Sequence, residues 1–333
     1  MNSNTPLITV GLGLWQDRPA DEALATARAA DDLSFTELWI GEMATYDAFA
    51  LAAVVGQQTQ QIRLTIGPLA VSVRDPMMLA VGIASVADLT TRPVNLAVGT
   101  SSPLVVERWH GRARHRPLRA MREAIAELRL LLEGQAGQHA GTIVGSSGYK
   151  LRLPAPRSTI TVAGFGPKAL ELGAEQGDRI VLSLVTADAA GQLTDHVREH
   201  LATDSERERP PVAVWVPTAV DGGDKARDQV RSMLVGYLGA PGYSEMFEQA
   251  GFEDLVAFAR SRPHPREILQ RIPDELVERV SAIGTADEVR ARLAEYGKHC
   301  EEVVILPAST DEDPSGVHTL QSLAPHGRKA DND

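Results

Sequence analysis

Two side chains in this sequence are placed to move a proton: Glu42, which directly follows the apolar run Glu37–Ile40, and His110, beside Trp109. A carboxylate or imidazole at the rim of a fold could act as general acid or base, or hold a substrate by hydrogen bonds. The plain alternative for Glu42 is a carboxylate bonding loop N–H groups, because position alone does not perturb a pKa. Trp15 and Trp109 offer flat apolar faces to a substrate. From Trp109 to Arg116 the chain holds two histidines and three arginines, in an otherwise acidic protein. That charge reversal could receive an anionic tail or substrate, and it could equally be a solvated face.

Other stretches point to backbone chemistry. Gly67-Pro68-Leu69-Ala70 joins the residue freest in φ to the one for which a cis peptide costs little, about 0.5–1 kcal/mol. A sharp bulge there could bring main-chain atoms against a flat ring; an ordinary turn out of a strand is the other reading. In Gly99-Thr100-Ser101-Ser102-Pro103, the hydroxyls of Ser101 and Ser102 could bond a ring edge or polyol chain, or cap the next helix. Ser183 offers the same chemistry further on. Ala163-Gly164-Phe165-Gly166-Pro167-Lys168 passes from an apolar run into a helical pattern, with proline at a tolerated first-turn position. Its amides could cradle a phosphate at the positive end of a helix, or form only a tight turn.

These residues need elements to hold them. Short apolar runs at Ile8–Leu14, Glu37–Ile40, Ile62–Gly67, Val94–Val98, Ile160–Val162, Ile180–Leu184, Val212–Val216 and Val303–Leu306 lack polar alternation, so each reads as a strand buried on both faces. Between them, Asp21–Asp32, Ala48–Gln57, Pro76–Leu89, Lys168–Gln176 and Ala189–Leu201 repeat apolar residues at three- and four-residue steps, as covering helices do. The alternation predicts an α/β (β/α)8 TIM barrel whose active site lies at the C-terminal strand ends. An open doubly wound sheet would carry a glycine-rich dinucleotide loop after its first strand, and Gly11-Leu12-Gly13-Leu14-Trp15 lacks that spacing. Gly134–Leu153 and the proline-punctuated Leu238–Val280 read as insertions after strands four and seven. One domain over 1–326 is expected, with a charged, disordered tail at 327–333.

Composition narrows the partners. A net charge of −11 repels nucleic acid and anionic membrane, so the expected partner is a small molecule. Cys300 is the single cysteine, which excludes an intrachain disulfide and a cysteine-rich metal site. No metal is expected. Met1 to Pro6 has neither the basic start nor the apolar run of a signal peptide, and no stretch is long enough to span a membrane. The expected location is cytoplasmic.

In their order along the chain, Glu37-Leu38-Trp39-Ile40-Gly41-Glu42, Gly67-Pro68, Gly99-Thr100-Ser101-Ser102-Pro103 leading to Glu107-Arg108-Trp109-His110-Gly111, Ala163-Gly164-Phe165-Gly166-Pro167 and Gly284-Thr285-Ala286-Asp287-Glu288-Val289 resemble the luciferase-like flavin-dependent oxidoreductases. The closer likeness is to the branch using the deazaflavin coenzyme F420, and it spans Val10 to Pro307. The resemblance implies a tricyclic ring at the strand ends, backed by a bulge that would fall on Gly67-Pro68. It also implies a phosphate held by Gly164, Phe165 and Gly166, with Ser101 and Ser102 near the ring or its side chain. F420 implies a dehydrogenase or reductase; FMN, the alternative, implies a monooxygenase. Relatives acting on sugar phosphates or secondary alcohols place an acid-histidine pair after the second strand. This chain has Glu42-Met43, and Ser102 stands where some of them carry a second carboxylate. A sugar-phosphate substrate is therefore disfavoured, and loss of catalysis, leaving a flavin-binding barrel, is a further reading. A barrel lyase or aldolase would need a lysine or metal ligands at the strand ends. Relatives are often homodimers.

Overall fold

Strands that are apolar on both faces must be covered on both, and crossover helices between parallel strands are the way a chain achieves this. The computed structural model describes residues 6–42, 45–138, 141–202 and 208–325. Its strands are β1 (Leu7–Gly11), β2 (Glu37–Ile40), β3 (Arg63–Ala70), β4 (Val94–Gly99), β5 (Ile160–Ala163), β6 (Arg179–Ser183), β7 (Val212–Val220), β8 (Ala282–Gly284) and β9 (Glu302–Pro307). All pairings are parallel. β1 to β7 pair in chain order, and β9 closes the wall by pairing with both β7 and β1. This is the expected eight-stranded barrel. The ninth strand, β8, adds only three residues beside the far end of β7, at Thr218–Val220.

Three expected strand ends shift by three or four residues, and four others by one. β1 stops at Gly11 instead of Leu14: the Leu12 N–H makes the last ladder bond to β2, on the Trp39 carbonyl, and the pairing with β9 has already ended at Val10. β3 does not stop at Gly67: its pairing with β4 breaks between Ile66 and Leu69, resumes as Leu69↔Val98, and ends at Ala70. β7 runs on to Val220, where β8 supplies a partner.

The helices α1 (Glu22–Asp32), α2 (Ala48–Gln58), α3 (Pro76–Thr90), α4 (Pro117–Leu132), α5 (Pro167–Gln176), α6 (Ala187–Ala202) and α7 (Gly223–Leu234) wrap the wall. Asp47 starts α2 by accepting from the Phe49 and Ala50 amides, and Asp75 starts α3 by accepting from Met78, each meeting backbone donors a helix leaves open. The segment 238–280 folds into α8 (Tyr243–Gln249), α9 (Glu253–Arg260), α10 (Pro265–Arg271) and α11 (Asp274–Val280), with α12 (Ala286–Gly297) and α13 (Val317–Leu323) completing the chain. Among the described residues no helix is long and apolar enough to cross a membrane. The expected disordered tail, 327–333, lies outside the described residues.

Inside the barrel the side chains are layered. At the N-terminal end, Arg179 bridges Glu37 at 2.6 Å and Glu302 at 2.7 Å, while Thr9 and Thr65 donate to the same two carboxylates. Above it Trp39, Ala97, Val181, Ala213 and Val304 form an apolar layer, packed against Ala163 and Trp215. Arg179 also lies over the Trp39 ring, 4.2 Å from its centre. The N-terminal end of the barrel is thus filled by side chains.

Candidate active site

The mouth is built on the break in β3. Gly67 has a φ of +123°, a conformation that side chains rarely adopt, and the Gly67-Pro68 peptide is cis. A Cβ on Gly67 would collide with the Ala97 carbonyl oxygen of the neighbouring strand. The sharp bulge left open by the sequence is the conformation present, and Leu69 and Ala70 rejoin the ladder beyond it. Next to it, Gly99 pairs with both Ala70 and Ala163, so bulge, fourth-strand turn and fifth-strand loop are neighbours.

At the fifth strand, Gly164 must lack a side chain because a Cβ there would press on Ala169. Gly166 is different. It starts α5 with no side-chain cap, and nothing lies within 4 Å of where its Cβ would be. An uncapped helix start opening on free space is able to bind an anionic group. Phe165, between the glycines, turns to meet Tyr243 of α8, ring centres 4.5 Å apart. The Tyr243 phenol is pushed up in pKa by burial and by neighbouring Tyr237, and is bonded by Ser183 at the end of β6. The second insertion therefore packs on two of the residues expected to face a coenzyme.

Ser101 and Ser102 divide their roles. Ser102 accepts the Val105 amide at 3.3 Å and so caps the π-helix Leu104–Trp109, the alternative weighed for it from sequence. Ser101 stands at φ +53°, and its carbonyl accepts from Arg114 at 3.1 Å. Trp109 and His110 end that π-helix facing solvent, Trp109 with 59% of its surface exposed. Trp15 folds over Gly13 and donates to the Pro307 carbonyl at 2.8 Å, which fixes it beside the end of β9.

Among the described residues Glu42 accepts from no loop amide. Its carboxylate is held by Arg74, with Nε to Oε2 at 3.2 Å and Nη2 on Oε1, and the same Nη2 reaches Asp47. The Glu42 bond, more than that to Asp47, raises the Arg74 guanidinium above its ordinary range. Burial would raise the Asp47 carboxyl, but the Ala50 amide and Arg74 hold it low. Met43, in the position of the missing histidine, lies outside the described residues.

Two contributors were not singled out from sequence. Arg74 stands in none of the motifs that the sequence marks, and nothing there points to Glu42 as its partner. Trp215 lay inside an apolar run, where an indole reads as core. It meets Trp39 edge-on at 5.7 Å, and its ring lies against Gly41 at the end of β2. Its indole N–H is buried and has no acceptor among the described residues. Buried donors are nearly always satisfied, so this one fits a ligand that supplies the acceptor. The kinked backbone, the open start of α5 and the unspent indole N–H together suit a flat, phosphate-bearing ring at the mouth. Lysine is absent from the strand ends that form it, and no metal-ligand cluster occurs among the described residues.

The chain has relatives in sequence and in fold. A Mycobacterium tuberculosis protein provisionally named as a coenzyme F420-dependent oxidoreductase is 25% identical over 333 residues, covering 90% of this chain and 94% of its own. The 5,10-methylenetetrahydromethanopterin reductase of Archaeoglobus fulgidus is 25% identical over 282 residues, covering 81% and 84%. Among solved structures, an F420-dependent secondary alcohol dehydrogenase, in complex with an F420-acetone adduct, superposes with a TM-score of 0.79 at 17% identity, covering 96% of this chain and 98% of that one. The oxygenating constituent of 3,6-diketocamphane monooxygenase from Pseudomonas putida, in complex with FMN, gives 0.70 at 17% identity, covering 96% of each. The model of the luciferase-like monooxygenase family matches residues 7–299, and this chain belongs to that family.

Proposed function

We propose that the chain is an F420-dependent oxidoreductase, transferring a hydride between the deazaflavin and a small organic substrate at the barrel mouth. The observation that carries the reading is the Gly67-Pro68 bulge beside the open start of α5: one supports a planar ring by main chain alone, the other meets its phosphate. Gly67, Pro68, Leu69 and Ala70 would back the ring. Ala163, Gly164, Phe165, Gly166 and Ser183 would hold the phosphate side, and Ser101 with Ser102 the side chain. When bound, the coenzyme supplies the hydride chemistry. The protein orients it, keeps water out with the packed Trp39–Trp215 layer, and offers Glu42 as the carboxylate nearest the second-strand end for proton handling. His110 is the other candidate, and Trp15 and Trp109 would contact substrate. One domain, 1–326, carries the activity.

FMN with oxygen chemistry is the second reading, favoured by the likeness in fold to an FMN-bound monooxygenase. Fluorescence titration of the purified protein with F420 and with FMN separates them: micromolar or tighter F420 binding is expected, and FMN binding without F420 affinity would overturn the proposal. Oxidation of bound reduced F420 by a panel of enones, imines and nitro compounds is expected; binding without any turnover would leave a flavin-binding barrel.

The reading extends to a cytoplasmic homodimer. The support is Val54, Met78 and Leu89, all exposed on α2 and α3, whose outer faces carry little charge. Sedimentation at micromolar concentration should give twice the monomer mass of 35.8 kDa.

A further inference from the structure

We propose that Arg114 is an anion anchor at the barrel mouth, separate from the start of α5, taking a carboxylate or phosphate group. The inference deepens the functional reading above and rests on it for the site's role, though its test does not.

Arg114 follows the π-helix and folds back onto the turn after β4. Its Nε donates to the Ser101 carbonyl at 3.1 Å and its Nη2 to the Thr100 hydroxyl at 3.2 Å. Both acceptors are neutral. Among the described residues Arg114 makes no ion pair, and its nearest negative charge, on Glu107, acts only through space. Two arginines further along, on α4, are committed: Arg119 pairs with Glu123 at 2.9 Å and Arg122 with Glu175 at 2.7 Å. Taking a guanidinium partly out of water without a counter-charge is unfavourable, and burial accordingly lowers its pKa. The two neutral bonds fix the fork in place and leave Nη1 without a partner among the described residues.

The surroundings work in the same direction. Arg112 and Arg116 flank Arg114 in a chain whose net charge is −11. Arg116 stands at the N-terminal end of α4, where the helix dipole repels a cation, so its place there does not serve the helix. The location is the decisive point. Thr100 follows Gly99, which pairs with Ala70 beyond the bulge and with Ala163 before the glycine loop. An anion on the outer edge of this guanidinium would gain charge-assisted hydrogen bonds while its parent molecule reached the mouth. Two sources supply such a group: an acidic substrate, or the carboxylated tail of the coenzyme.

The test titrates wild type, Arg114→Gln and Arg114→Lys with succinate and with inorganic phosphate, by calorimetry, circular dichroism confirming that each variant folds. Expected are binding to wild type, at least tenfold weaker binding to Arg114→Gln, and intermediate binding to Arg114→Lys, which keeps the charge without the fork. Repeating the titration on coenzyme-loaded wild type names the source: probe binding abolished by F420 but not by its tail-less riboflavin-level analogue assigns the anchor to the tail, and binding that persists with both assigns it to the substrate. Equal affinities in wild type and a folded Arg114→Gln, or no binding to wild type, would overturn the proposal. Failure of the F420 reading would leave the succinate and phosphate arms intact, so the two are distinguishable.

Discussion

The Trp215 indole N–H is a donor held away from water, without an acceptor among the described residues. An unmet buried donor costs about 1–3 kcal/mol, so its removal should not weaken the apo protein. Trp215→Phe is therefore expected to unfold in urea at the same midpoint as wild type or slightly higher, while affinity for the coenzyme or substrate falls about tenfold. A loss of stability with unchanged ligand affinity would make Trp215 simple core. Gly67 presents the opposite case, since its φ of +123° and the Ala97 carbonyl leave no room for a methyl group. Gly67→Ala should cost about 1–3 kcal/mol in urea denaturation and weaken coenzyme binding more strongly than stability alone explains. Both glycine and proline of the bulge stand in the sequence as a recognisable pair. Trp215 does not advertise itself, because the lack of an acceptor is a property of what surrounds the ring.

At the scale of elements, the two insertions are tied to the barrel by specific groups. Glu123 and Glu127, one turn apart on α4, reach into the first insertion: Glu123 accepts from the Ile143 amide at 2.7 Å and Val144 at 3.1 Å, and Glu127 from the Gln138 amide at 3.3 Å. Burial would raise the Glu123 carboxyl, but the Thr142 and Ile143 amides, Arg119 and the Val144 amide bring it down to about 2. A depressed carboxyl contributes stability that is present above its unfolded value of 4.5 and is lost as pH falls toward about 2. Hydrogen exchange at Ile143 and Val144 should thus lose protection over that window in wild type. In Glu123→Ala it should be fast already at pH 7, with new proteolytic cuts in 141–153. The second insertion is anchored by Tyr243 against Phe165, Tyr237 and Phe247. From sequence both segments were legible as interruptions, through their glycines and prolines. Their attachment was not, because Glu123 and Tyr243 are ordinary residues until the fold supplies partners.

For the whole molecule, the barrel's closure is visible in Arg179, which joins β6 to β2 and β9 across the interior. Arg179 faces two carboxylates that are almost fully buried, at 4% and 5% side-chain exposure. Removing one member of such a network leaves uncompensated charge, at about 3–5 kcal/mol. Arg179→Met should show that loss in denaturant melts at pH 8. Burial raises the Glu302 carboxyl, Arg179 opposing it and Glu37 adding to it. A raised carboxyl contributes stability that is full below its unfolded pKa and lost as pH rises through the folded one. Without Arg179 the folded value climbs further, so the difference between variant and wild type should shrink at pH 5. An equal loss at both values would show that no proton is taken up.

The sequence by itself determined the class of fold, since uninterrupted apolar runs alternating with amphipathic segments can bury their faces only as parallel strands under helices. It also marked Gly67-Pro68 and Gly164–Gly166 as places where the backbone could depart from regularity, without choosing between a bulge or cradle and an ordinary turn. Only the tertiary structure decided which charges meet. Glu42 and Arg74, and Arg179 and its two glutamates, are separated along the chain by 32 to 142 positions. Pairing over such distances follows from the register of strands in the closed wall, which hydrophobic periodicity constrains by face but not by partner.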